Sequence, residues 1–288
     1  MEKRNLIIGG FTNYGINQLK PWVLSAKEVA GKNTDVVLVY GNTSQETLNW
    51  LEEQGVLLWP MDRLPNVPPH VMRFHSLYEF MRIKWDEYDF VVATDVKDVY
   101  FQTNPCDEVS RQCNFEKGYD LTIASEGLKY KDEPWGRENL QQAYGPYVYE
   151  HFKENEIFNV GTFGGKSEYV KDMFFNIYTN AINRPIPICD QAVFNVLINT
   201  QPYKDIVSYT HDWAAELGTV MDPTKIEQFR PNLTFSEPIW NGEQVMIPPM
   251  AMRPFPIVHQ YDRVPELKKF VQQKYGQDDE SQMFIYRT

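Results

Sequence analysis

The sequence predicts an α/β protein: one domain built on a mostly parallel, mixed sheet flanked by helices. Three observations carry that expectation. Short apolar runs rich in β-branched residues alternate with segments of helical period, the pattern of strand–helix–strand units. Gly9-Gly10 and Gly41-Asn42 close the first two runs, as tight turns require. The 288 residues, 42% hydrophobic and 23% charged, suffice for the core of one large domain of ordinary soluble composition.

Taken in order, Leu6-Ile7-Ile8 reads as the first strand, and Phe11 to Gly15 as a polar and aromatic loop. Leu19 to Val29 has helical spacing in Trp22, Ala26 and Val29, with Pro21 near its first turn. Asp35 to Tyr40 is a second buried strand, Leu48 to Gln54 a helix, and Val56 to Trp59 a third strand. Pro65 to Pro69 interrupts the alternation. His70 to Asp86 then forms a long amphipathic helix whose Val71, Phe74, Tyr78, Met81 and Trp85 face the core.

Phe90 to Ala93 is a buried strand, Val99 to Phe101 a further apolar segment, and Asp120 to Ala124 another strand. Lys129 to Tyr149 shows no period and is expected to be a mobile loop. Ile157 to Gly165 reads as a strand whose Asn159, Gly161, Gly164 and Gly165 permit close backbone approach to a ligand. Glu168 to Asn180 is a helix, and a second helical pattern opens at Asp190 and runs to Ile198. Residues 200–256 are rich in Pro and aperiodic, so long ordered loops with short strands are expected. Pro256-Ile257-Val258 leads into His259, and Pro265 to Tyr275 is a closing helix stopped by Gly276. Asp278 to Thr288 is expected to be a loose tail.

The bulk properties narrow the function classes. A net charge of −11 leaves no basic surplus for a general nucleic-acid binder, though a small anion held by a metal and a few local bases remains open. Aromatic content of 14% points mildly to stacking on bases or sugars, since rings also fill cores. Cys106, Cys113 and Cys189 form no CxxC and cannot all pair, which reads as reduced thiols. No signal-length or membrane-spanning apolar run is present. The expected location is therefore cytoplasmic.

The chemistry concentrates in Phe90 to Pro105, FVVATDVKDVYFQTNP. Asp95 and Asp98 stand at the mouth of a buried strand, where paired carboxylates are costly unless a cation offsets them. Hard oxygen ligands suit Mg²⁺ or Mn²⁺. Ligands on parallel sheets bind at the carboxyl ends of the strands, where Phe11 to Gly15 also falls. Arg73 and Arg82 lie off the core stripe of their helix. A solvated charge is the common role for either, and Arg73, near the helix start, is the better phosphate contact. Asp190 fits a helix N-cap and equally a carboxylate aimed into the cleft. A lone His after a strand, such as His259, is more often structural than a ligand.

Together these segments resemble the nucleotide-sugar glycosyltransferases of the GT-A fold, a Rossmann-like α/β class. The resemblance covers most of residues 5–270, in order, at the level of motifs. Leu6 to Tyr14 looks like the family's nucleobase and ribose region, and the stretch through Asn104-Pro105 like its hhhhDxDhhhh…(D/N)P signature. Asn159-Val160-Gly161, Asp190-Gln191 with Asn195, and Val258-His259-Gln260 follow as further family-like segments. One departure stands out: the acidic motif is Asp95-Val96-Lys97-Asp98, one residue longer than DxD.

The resemblance implies a single domain over 1–288, with a nucleotide-binding half (1–110), an acceptor and catalytic half (111–276) and a tail (277–288). It implies a metal-dependent glycosyltransferase moving a sugar from a nucleotide diphosphate sugar to a hydroxyl of a glycan or glycoconjugate acceptor. UDP is the commonest nucleotide in the family. Asp98 and His259 would hold Mn²⁺ or Mg²⁺, with Asp95 in the first motif position. Phe11, Thr12, Asn13, Tyr14, Arg73, Asp95, Val96, Asn159, Gly161 and Gln191 would line the donor site. Asp190 is the expected base, inversion being slightly favoured, and Glu126 the second carboxylate. The alternatives are a non-catalytic nucleotide-sugar or carbohydrate binder of the same fold and a metal-dependent phosphohydrolase. A nucleotidyltransferase would carry a Gly-rich basic loop after the first strand, which Phe11 to Gly15 is not.

Overall fold

The apolar runs of the sequence become the interior of a seven-stranded sheet in the computed structural model, which describes residues 3–62, 66–114, 118–250 and 252–278. The chain begins β1 (Arg4–Phe11), α1 (Ile16–Val29), β2 (Thr34–Tyr40), α2 (Gln45–Glu53), β3 (Leu57–Pro60) and α3 (Pro69–Lys84). It continues with β4 (Tyr88–Thr94), β5 (Val99–Phe101), α4 (Pro105–Cys113), β6 (Leu121–Lys129), α5 (Pro134–Tyr144), α6 (Pro146–Phe152) and β7 (Glu156–Lys166). Then come α7 (Ser167–Ala181), α8 (Asp190–Ile198), β8 (Val207–Thr210), β9 (Ala214–Glu216), α9 (Leu217–Val220) and α10 (Ile226–Phe229). The pair β10 (Ile239–Trp240) and β11 (Val245–Met246), then β12 (Ile257–His259) and α11 (Pro265–Tyr275), complete it.

The main sheet has the order β3-β2-β1-β4-β7-β6-β8. All neighbours are parallel except around β7, which runs antiparallel to both β4 and β6. This is a mostly parallel mixed sheet of Rossmann-like type, and it takes strands from both predicted halves. Alternate residues of each strand feed opposite faces. Leu6 and Ile8 join a core closed by α3, α7 and α8, whereas Ile7 joins one closed by α1, α2 and α4.

A smaller sheet, β5-β12-β9, sits at the carboxyl end of β4. The predicted short strands of 200–256 appear as β8 at the edge of the main sheet, in this smaller sheet, and in the β10–β11 pair. The expectation of a mobile loop over Lys129 to Tyr149 is corrected, because α5 and α6 occupy most of it. Each opens on a Pro at its first position, where the missing N–H costs nothing, and Glu133 caps α5 by accepting from Trp135 N and Gly136 N. The sequence concealed both, since the buried side of α5 carries Gly136 and Asn139 beside Leu140 and Ala143 and α6 is only seven residues long.

The glycines of β7 also need correction. A Cβ at Gly165 would lie 2.2 Å from the Asp120 carbonyl, and one at Gly164 2.9 Å from Val109 Cγ2. Both serve packing between strands and against α4, not ligand approach. Pro65 and most of the predicted tail, 279–288, lie outside the described residues. No helix among the described residues is long and apolar enough to cross a membrane.

Candidate functional site

The small sheet brings three distant segments together. In its register His259 lies opposite Val99 on one side and Glu216 on the other. Val99 follows Asp98 directly, so the acidic motif and the histidine are neighbours across a strand pair. His259 Nε2 stands 3.5 Å from Asp98 Oδ1 and 3.7 Å from Asp95 Oδ2. One ligand atom from each of the three residues fits within 4.8 Å of the others.

The other face of the imidazole is fixed. His259 Nδ1 bonds Glu216 Oε2 at 2.6 Å and lies 3.2 Å from Thr162 Oγ1. A carboxylate behind a histidine sets the ring's orientation and makes the outward nitrogen a better ligand. Burial alone would favour the neutral ring, but Glu216 and Asp98 outweigh it and hold His259 well above the ordinary imidazole range. Burial likewise opposes charge on Asp98, and His259 more than compensates, leaving that carboxyl below the usual carboxylate range. Glu216 Oε1 is buried with no partner among the described residues.

Gln260 ties these parts together. Its N–H donates to the Asp98 carbonyl at 2.8 Å, and its Oε1 accepts from Gly218 N at 2.8 Å. Gln260 adopts φ 59°, a left-handed conformation uncommon outside Gly and Asn. The strained turn is held by bonds on both sides.

Gly161 is the residue whose missing side chain opens the centre. A Cβ there would lie 2.7 Å from His259 Cε1 and 2.8 Å from Asn159 Oδ1 and Asp95 Oδ2. Its carbonyl also accepts from Asp95 N at 2.7 Å. The donor set of two carboxylates and one oriented imidazole, around a space only glycine leaves open, fits a divalent cation. Asp98, Asp95 and His259 would hold it.

Arg73 lies between two carboxylates. Nη1 bonds Asp95 Oδ1, Nη2 lies 3.0 Å from Asp190 Oδ2, and Nε is buried without a partner among the described residues. Arg73, the expected phosphate contact, thus has both terminal nitrogens engaged by protein. Asp190, only 4% exposed, is the first residue of α8, and Cys189 holds the N-cap position without a side-chain cap bond. The carboxylate faces Arg73 instead of capping its own helix.

Glu126 lies on the neighbouring wall. Its Oε1 accepts from Asn159 Nδ2 at 2.8 Å and from Gln191 Nε2 at 2.7 Å. Burial, then the charges of Glu216 and Glu133, push this carboxyl up to about 8.

The loop after β1 is zipped to the turn after β2. Asn13 N donates to Asn42 O at 2.6 Å, Asn42 Nδ2 to Asn13 Oδ1 at 2.9 Å, and Asn42 N to Thr12 Oγ1 at 3.1 Å. Two shallow clefts adjoin here, of about 90 and 200 Å³, sharing Thr12, Met61 and Pro69. The smaller reaches Tyr14, His70 and Arg73, and so leads toward the acidic centre. Two predicted donor contacts differ in detail. Phe11 is buried in the core with its ring parallel to Tyr14, and Val96 is buried with Cγ2 facing Gly9. Both side chains are buried, and Phe11 also lines the smaller cleft.

The structure therefore gathers Asp95, Asp98, His259, Arg73, Asp190, Asn159, Gly161, Gln191 and Glu126 around one centre, with Thr12, Asn13 and Tyr14 at its far end. Glu216 and His70 were not anticipated as site residues, and Gln260 was named only within the segment that carries His259. A lone acid in Ala214-Ala215-Glu216 gives no periodic signal, and only strand register places it beside His259.

No family model matches this chain, and no curated protein matches it. Among solved structures it is similar to the apo structure of WbbM, a bifunctional glycosyltransferase. The TM-score is 0.63 at 13% sequence identity, covering 100% of this chain and 52% of that chain. The chain thus spans about half the length of that structure, and what the two share is a glycosyltransferase-like Rossmann fold.

Proposed function

We propose that this protein is a metal-dependent glycosyltransferase using a nucleotide diphosphate sugar, with UDP the first nucleotide to test. The observation that carries the reading is the meeting of Asp95, Asp98 and His259 ligand atoms within 4.8 Å at the carboxyl end of β4. Around that point Asp95, Asp98, Asp190 and Glu216 pair with Arg73 and His259, with Arg263 also acting on Asp98, which leaves a local surplus of negative charge that a divalent cation would offset. Mn²⁺ suits the mixed oxygen and nitrogen ligands, with Mg²⁺ the alternative.

Bound there, the metal would act as a Lewis acid on the diphosphate leaving group. The chain supplies the rest. Glu216 keeps His259 Nε2 aimed at the ligand position, and Arg73 fixes Asp95 through Oδ1 so that Oδ2 faces inward. The clefts between Thr12 and Arg73 would take the nucleoside, and Arg73 would add positive charge beside the phosphates. Asp190, braced by Arg73 through one oxygen, presents the other as the base for an acceptor hydroxyl, which corresponds to inversion. The acceptor in this reading is a glycan or glycoconjugate, and a cytoplasmic location agrees with three buried free thiols.

The test is Asp190→Asn. The isosteric amide should keep Mn²⁺-dependent donor binding within about threefold, yet lower transfer by at least about 100-fold, the scale of a lost general base. Unimpaired turnover removes Asp190 from that role, and product configuration by NMR decides between inversion and retention.

A further inference from the structure

Glu126 stands where β6 loses its register against β7, between Ser125 and Lys129, with Gly127 in the left-handed conformation at φ 76°. Bulges of this kind re-aim side chains beside active sites. The two amides that reach Glu126 have fixed orientations. Asn159 Oδ1 accepts from Gly161 N at 2.7 Å, and Gln191 Oε1 accepts from Val160 N at 2.8 Å. Each amide must therefore turn its NH₂ group toward Glu126, and both donate to the same oxygen, Oε1. Both lone pairs of Oε1 are then used. Oε2 has no partner among the described residues and is not one of the buried orphan atoms, so it is the oxygen that reaches the cleft.

We propose that Glu126 works as an uncharged carboxylic acid, its proton on Oε2, donating a hydrogen bond to an oxygen of the ligand bound beside the metal centre. That the oxygen belongs to a sugar rests on the function proposed above; the protonation does not. The groups facing Glu126 favour it. Glu216 from β9 and Glu133 from the α5 cap are carboxylates that favour it, the neighbouring Tyr130 hydroxyl is buried and unpartnered among the described residues, and His259 from β12 and the hydrogen bond from Gln191 oppose it. No Lys or Arg contacts the carboxyl among the described residues. Burial and those two carboxylates accordingly push it up to about 8, so the acid form prevails at neutral pH.

A neutral acid can be neither nucleophile nor base. On this proposal Glu126, expected as a second catalytic carboxylate, serves substrate recognition: Oε2–H favours a ligand with an accepting oxygen at that place over one that presents only a donor or a methyl group. An acidic wall kept neutral also avoids repelling the diphosphate.

The discriminating variant is Glu126→Gln, which keeps an accepting oxygen for Asn159 and Gln191 and replaces O–H by N–H. Infrared difference spectra of parent minus variant, recorded metal-free and with Mn²⁺, should contain a carboxylic acid C=O band near neutral pH. That band should fade with a midpoint near 8. A carboxylate band at neutral pH overturns the proposal. In calorimetry with Mn²⁺ and UDP-glucose or UDP-galactose, parent affinity should fall about tenfold per pH unit above that midpoint as the donor proton is lost. The variant should bind more weakly but without this alkaline limb. A limb that persists in the variant overturns the donor role. If neither nucleotide sugar binds at any pH, the glycosyl-transfer reading fails for these donors, while the infrared band still decides the state of Glu126.

Discussion

His259 is buried among partners on every side, and its usefulness as a ligand depends on the residue behind it. Glu216 takes the Nδ1 side at 2.6 Å, so Nε2 is left for the centre. Replacing Glu216 by Gln keeps the shape but lets the ring adopt the wrong tautomer. Glu216→Gln should weaken Mn²⁺ binding by about 10- to 100-fold, as loss of such partners does, with little change in melting temperature. Electron paramagnetic resonance of free Mn²⁺ reads this directly; an unchanged dissociation constant removes Glu216 from the role. At this scale the sequence was informative where residues are adjacent and poor where they are not. Asp95 and Asp98 were legible because a strand mouth concentrates them within four residues. His259 needed a family resemblance to stand out. Glu216, 43 residues before it, had no local signal, because the register that joins them is a property of the folded sheet.

Between elements, the join that matters most is α8 against β7. Asn195, only 1% exposed, donates to Phe158 O and Gln191 O and accepts from Phe158 N. Gln191 in turn accepts from Val160 N, so a single helix is keyed to the strand carrying Asn159 and Gly161. Asn195→Ala orphans buried backbone groups and should cost about 3 kcal/mol of stability, measured by urea unfolding. A loss below about 1 kcal/mol shows that the join is not a key. The strong strands β2, β4 and β7 and the long helices were legible in the sequence because apolar runs and stripes survive any context. The antiparallel placement of β7 was not, since strand direction is set by connections. The helices α5 and α6 were hidden for other reasons: the buried side of α5 carries Gly136 and Asn139 beside Leu140 and Ala143, so no apolar stripe shows, and α6 is only seven residues long.

On the scale of the molecule, the fold explains why the centre lies where it does. β1 and β4 are adjacent and parallel, so the loop after β1 and the acidic motif after β4 open at the same edge. The reversal at β7 puts Asn159 and Gly161 beside them, and the small β5-β12-β9 sheet closes that edge with His259 and Glu216. That edge is where ligands bind on open α/β sheets. We propose that the carboxylate–histidine centre holds a divalent metal for a nucleotide diphosphate. This is tested most directly by calorimetric titration of UDP, with and without Mn²⁺, into the parent and into Asp98→Asn. The parent should bind UDP in an Mn²⁺-dependent way, and the variant at least about tenfold more weakly. Equal affinity in the two proteins with Mn²⁺ present contradicts it.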